Sequence, residues 1–231
     1  YKESDSHIIE TIKLNLNGVK NLSKERVLSE LYKIFKLENI NNILENKDIK
    51  NIFLVIFPEL KYLDRLKKFL NSPKINILLQ IPDVIFSILL IDERDNFEYF
   101  CHKYKVSNKL KKDLSFISKN YKDFKNEKNY LKRDLKKNTY KLGKINIKKL
   151  IVFIYSVEKE FSFNMLKKII DNIDKMVIPN FPFDGKYVIE QGLEDGKKIG
   201  YVLRALEEEW IKNNFNLKAQ EATSIVNKVK N

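Results

Sequence analysis

Glycine is scarce in this chain of 231 residues. There are six, and four of them, Gly185, Gly192, Gly196 and Gly200, fall within sixteen positions. Glycine adopts left-handed backbone angles freely and allows close approach, so the cluster marks a backbone that does something side chains would block. One cysteine, Cys101, excludes an internal disulfide framework, and with only His102 beside it the partners of a zinc site are missing. A reducing, cytoplasmic setting is the expectation that follows. His7 and His102 are the only histidines, and no His, Cys and Asp grouping has metal-ligand spacing. The loop GxxxxGK[ST], the elbow GxSxG and a GxGxxG following a strand are all missing. Glu207, Glu208 and Glu209 are consecutive, so they splay around a helix as a solvated face rather than converge on a metal. Catalysis by these residues alone has no motif behind it, and neither cofactor nor metal is assigned to the chain.

Long apolar runs are lacking too. The richest, INILLQIPDVIFSILLI over 75–91, is broken by Gln80, Pro82 and Asp83 and reads as a buried helix pair rather than a membrane span. NIFLVIF (51–57) and LIVFIYSV (150–157) are locally rich in strand formers, but neither alternates, and both are expected as buried helices. The chain starts at Tyr1 with no charged-then-apolar leader, which suggests a part excised from a longer polypeptide.

What is present is helical periodicity. In KERVLSELYKIFK (24–36), Val27, Leu28, Leu31, Ile34 and Phe35 form one stripe, with Ser23 at the N-cap and Glu25 in the first turn. FNMLKKIIDNIDKMVIP repeats the pattern through Leu166, Ile169, Ile170, Ile173 and Val177, and Pro179 predicts a stop near Ile178. YLKRDLKKNTYKLG (130–143) fits a helix with Leu131 and Leu135 inward and Lys132, Arg133, Lys136 and Lys137 outward. Gly143 is expected to close it in a Schellman-type cap. In the glycine cluster, two helices are expected, Lys186 to Gln191 and Lys197 to Lys212. Lys197 and Lys198 would oppose the dipole of the second, which suits a phosphate; tight turns, with Gly200 allowing close packing, explain the glycines equally well.

Charge is sharply localised. Residues 103–149 hold seventeen Lys and Arg against Asp113, Asp123, Glu127 and Asp134, a surplus equal to the whole chain's net charge of +13. Such a concentration is the footprint of a polyanion-binding surface, most often nucleic acid. The alternative is a solvated lysine coat, since 39 lysines against 5 arginines also reflect a compositional bias. Tyr130 and Tyr140 sit among these cations, placed either to stack on unpaired bases or to flank the core.

Four segments carry a resemblance. LSKERVLSELYKIF (22–35) resembles the neck-helix motif S-x-E-R-[IV]-x-x-E-L of class II tRNA nucleotidyltransferases, the CCA-adding enzymes and their bacterial poly(A) polymerase relatives, through Ser23, Glu25, Arg26, Glu30 and Leu31. HKYKVSNKLKKDL (102–114) is similar to the L-x-L-S-N segment of the alphaproteobacterial branch through Val106, Ser107 and Asn108. LKRDLKKNTYKLG (131–143) resembles its R-x-x-x-Y-x-x-G stretch through Tyr140 and Gly143. Residues 179–211 are similar to the branch's carboxyl-terminal motif through Pro179, Phe181, Pro182, Gly185, Gly192, Gly196, Gly200, Leu203, Glu207 or a neighbouring glutamate, Trp210 and Ile211. Asp195 and Lys197 replace the prolines that flank the third glycine of that motif, and Tyr187-Val188 replaces its Asp-Leu.

The resemblance implies an all-α, elongated array of neck (1–48), body (49–142) and tail (143–231) that grips the elbow and acceptor stem of tRNA. A head domain outside this chain would hold Mg²⁺ with CTP or ATP and extend the 3′ end. Ser23, Glu25 and Arg26 would support the nucleotide-reading helix, a capping serine beside a charge pair. The RNA-contact candidates are Lys109, Lys111, Lys112, Lys132, Arg133, Lys136, Lys137, Lys141, Lys197 and Lys198, with the four clustered glycines and Trp210 as structural motif. Two other readings stay open: the same part of a poly(A) polymerase, or a non-catalytic helical scaffold for protein partners.

Overall fold

A computed structural model of the chain describes residues 6–19, 21–37, 40–72, 82–92, 94–127, 129–193 and 196–230, and the fold is all-α, with no strand among them. In chain order the helices are α1 (Ser6–Val19), α2 (Lys24–Ile34), α3 (Ile40–Glu45), α4 (Lys47–Ile56), α5 (Arg65–Leu70), α6 (Pro82–Leu90) and α7 (Asn96–Lys103). They continue with α8 (Asn108–Asn126), α9 (Leu135–Leu142), α10 (Lys144–Val157), α11 (Phe163–Lys175), α12 (Gly185–Glu190), α13 (Gly196–Lys212) and α14 (Ala219–Lys230). Local chemistry sets many of the starts. The side chains of Ser23, Ser107, Ser162 and Asp184 each accept a hydrogen bond from the backbone N–H three residues on, at 3.0–3.3 Å.

Helix α10 is the axis of the larger core. Every residue from Leu150 to Ser156 is buried, because α5, α6, α8, α9 and α11 surround it. Burial on all sides accounts for the strand-like composition of LIVFIYSV in a helix. NIFLVIF is helical, as expected, in α4 with Phe57 just past its end, but it is not buried throughout: Ile52, Phe53 and Phe57 are, while Val55 is 62% exposed. The apolar core of this unit runs from Val27 to Ile173, so both division points expected at 48/49 and 142/143 lie within it. A second, smaller core joins α12, α13 and α14 through Val188, Val202, Leu206, Ala222 and Val226. Tyr140 links the two units. Its ring meets Trp210 and Phe215 edge-on at 5.4 and 5.5 Å, and its hydroxyl donates to Glu207.

Some expectations are corrected. Helix α11 ends at Lys175 rather than near Ile178, and Val177 is 81% exposed instead of joining the buried stripe. Proline disfavours helical angles at the residue before it, and here Met176 already turns extended. Gly143 does end α9, but at φ 82° and ψ 149° it is no Schellman cap; it passes the chain directly into α10. Within 75–91, residues 75–81 lie outside the described residues, while Val84–Ile91 are buried in and just beyond α6. The glycine cluster separates α12 from α13, with Gly192 at φ 84° supplying the left-handed turn. A side chain at Gly200 would meet nothing within 4 Å, so close packing is not its reason.

Candidate nucleic-acid interface

Helix α8 starts from the Ser107 cap, and its first turn carries Lys109 and Lys111 with no acid, Lys112 following directly. Cations there oppose the helix dipole and cost stability, about 0.3–1 kcal/mol each. Ser115 and Lys119 continue the face of Lys112 at three and seven residues on. The end of α9, Lys141 and Leu142, faces this stripe across an open groove of about 820 Å³. Four lysines, Lys111, Lys112, Lys119 and Lys141, line the groove against one acid, Asp123, and Phe116 and Leu142 supply its apolar lining.

Buried and half-buried hydrogen bonds fix the spacing of the walls. Tyr130 donates its hydroxyl to Asn120 Oδ1 at 3.1 Å, Asn120 donates to the Phe116 carbonyl at 2.8 Å, and Asn138 donates to the Tyr130 carbonyl at 2.9 Å. Tyr130 is 4% exposed, and burial pushes its phenol up to about 12. Both tyrosines therefore serve the fold rather than offering faces to bases, Tyr130 in the core and Tyr140 against Trp210 and Phe215.

The seventeen cations of 103–149 divide into two classes. Several are neutralised inside the chain: Lys103 by Glu59 at 2.7 Å, Lys125 by Glu158 at 3.1 Å, Lys149 by Asp113 at 3.2 Å and Lys148 by Asp174. Among the described residues, Lys111, Lys112, Lys119 and Lys141 make no ion pair or hydrogen bond, and the same holds for Lys109, Lys122 and Lys132. The expected outward quartet does not form one face. Lys137 donates to the Lys212 carbonyl at 3.3 Å, Lys136 lies 5.1 Å from the Phe215 ring, and Arg133 sits 3.8 Å from Asp134, leaving Lys132 free. The helix expected over 130–143 begins only at Leu135, so Lys132 and Arg133 sit in the turns before it, and the docking of the α12–α14 unit on α9 has claimed the side that carries Lys136 and Lys137.

The remaining candidates lie apart from the groove. Lys197 and Lys198 are exposed in the first turn of α13, next to residues 194–195 that are outside the described set. Ser23 caps α2 as expected, but Glu25 is 3.8 Å from Lys105 rather than paired with Arg26. Trp210 is buried at 3% exposure. The L-S-N-like segment turns out to be the Ser107 cap that aims α8. Lys119 is not among the sequence candidates, although the spacing of Lys112, Ser115 and Lys119 is legible once 108–126 is laid on a helix. Among the described residues no cluster of His, Cys, Asp and Glu could hold a metal, and no helix is long and apolar enough to cross a membrane.

A scan of the chain against protein-family models and a search of curated proteins each found no match.

Proposed function

We propose that this chain binds structured RNA, with the phosphate backbone lying in the groove between α8 and α9. One observation carries the reading: four lysines without an internal partner are gathered in one channel, while neighbours such as Lys103, Lys148 and Lys149 are neutralised by carboxylates. Like charges held together repel, and the first-turn lysines also work against their own helix, so the arrangement is favourable only when an anion arrives. Structured RNA offers phosphates in a regular line and hides its base edges in a deep groove, which suits recognition by charge and shape.

The narrower reading, that the chain is the tRNA-gripping carboxyl-terminal part of a class II tRNA nucleotidyltransferase, rests on the order of the four motifs. In that reading the α8–α9 groove holds the tRNA while a head domain with Mg²⁺ and CTP or ATP extends the 3′ end. The test is binding of tRNA lacking its 3′ end, with poly(A) as competitor, over a KCl series. Steep loss of affinity with salt and weak competition by poly(A) are expected. Salt-independent behaviour, or no binding, favours a protein scaffold with lysines as solvent coat; equal competition by poly(A) removes the tRNA assignment.

A further inference from the structure

A second cationic site lies on the other side of α8. Tyr121 follows Lys119 by two residues, a rotation of about 200° on an α-helix, so it faces away from the groove. It helps to line a pocket of about 380 Å³ that also takes in Lys61, Tyr62, Arg65 and Arg94, with Asp92 as its one acid. The size falls in the range of small-ligand sites, about 300–1,000 Å³.

The Arg65 guanidinium is the fixed element. It lies 3.6 Å over the Tyr62 ring, and Nη1 donates to the Ile91 carbonyl at 2.8 Å and the Ile88 carbonyl at 3.5 Å, at the end of α6. These contacts orient it without neutralising it, because no carboxylate lies within ion-pair distance among the described residues. Burial draws its pKa below the ordinary arginine value, and the nearby Asp92 and Glu158 carboxylates offset that only in part. Arg94 and Lys61 stand exposed at the rim and, among the described residues, make no ion pair; the Arg94 backbone N–H donates to Asp92 Oδ1 at 2.9 Å. The floor is apolar and aromatic, with Phe153 meeting Tyr121 edge-on at 5.1 Å.

We propose that this pocket binds a nucleoside monophosphate or diphosphate, the phosphate between Arg65, Arg94 and Lys61 and the base against the aromatic floor. Arginine held in one orientation suits bidentate contact with phosphate oxygens, and lysine adds a mobile point charge. The inference is independent of the RNA reading, since the two sites share no residue.

Titration calorimetry of the whole chain with AMP, ADP, adenosine and inorganic phosphate tests it. AMP or ADP should bind in the micromolar to low-millimolar range, with adenosine and inorganic phosphate each at least tenfold weaker. Lys61→Gln with Arg94→Gln changes only exposed side chains, so thermal stability should hold while nucleotide affinity falls at least tenfold. Lack of nucleotide binding, equal binding of inorganic phosphate, or affinity untouched by the double variant overturns the proposal. So does affinity lost instead when Lys111, Lys112, Lys119 and Lys141 are replaced, which places the anion in the groove.

Discussion

Replacing Lys111, Lys112, Lys119 and Lys141 together with glutamine removes the four cations of the α8–α9 groove while leaving every internal ion pair of the segment in place. Each lysine that neutralises a phosphate contributes about 0.9 to the slope of log affinity against log salt on a duplex, and about 0.7 on a single strand. Four contacts therefore lower the slope by about 3 to 4 on duplex RNA and about 3 on unpaired RNA. Between 50 and 200 mM KCl, the unaltered protein should lose about 100-fold more affinity than the variant. Stability moves the other way. Lys111 lies in the first turn of α8 and opposes its dipole, so its removal should leave stability unchanged or raise it, by up to about 1 kcal/mol. Fluorescence anisotropy with labelled tRNA over a KCl series, alongside thermal denaturation, reads both quantities. An unchanged slope in a folded variant refutes the assignment of the groove.

Tyr140→Phe deletes the hydroxyl donated to Glu207 and should destabilise by about 1–2 kcal/mol in urea titrations; no change means Tyr140 does not tie the two units together. Burial and then Glu207 push the Tyr140 phenol from 10.0 up to about 12, so the fold favours its neutral form. Its contribution is intact below pH 10 and is lost as pH rises from 10 towards 12, and the phenylalanine variant should soften that alkaline loss when stability is followed against pH. Gly192→Ala forces a side chain into φ 84° and should cost about 1 kcal/mol, whereas Gly200→Ala, in open space inside α13, should gain about 0.5–1 kcal/mol. The reverse order in thermal melts would overturn the account of the glycine cluster. Cys101 is 5% exposed, with its thiol pushed up to about 11 by burial, so Ellman's reagent at pH 8 should label it only after unfolding; rapid native labelling contradicts that placement.

The elements that were legible in the sequence are those decided within a turn or two of the chain. Ser23, with Glu25 and the stripe of Val27, Leu28 and Leu31, specifies α2 almost unaided, and the run Leu150–Ser156 is too apolar to be anything but buried. Boundaries were less legible: Pro179 constrains its neighbour Ile178, whereas α11 already stops at Lys175 and Met176 is extended. The site was legible as a charge surplus but not as a place. Which side of α9 faces outward is settled by Lys212, seventy-five residues from Lys137, and by Trp210 and Phe215 on Tyr140. Periodicity within 130–143 carries no information about that partner. Likewise, Arg65 reads as one cation among many until α6 and α8 bring Ile91, Arg94 and Tyr121 around it.

Lysine acetylation with and without bound tRNA, read residue by residue by peptide mass spectrometry, addresses the RNA groove most directly. Lys111, Lys112, Lys119 and Lys141 should lose reactivity severalfold in the complex, while the exposed Lys167 and Lys168 of α11 keep theirs. Full reactivity at the four groove lysines when the RNA is saturated, with protection elsewhere or nowhere, contradicts the account.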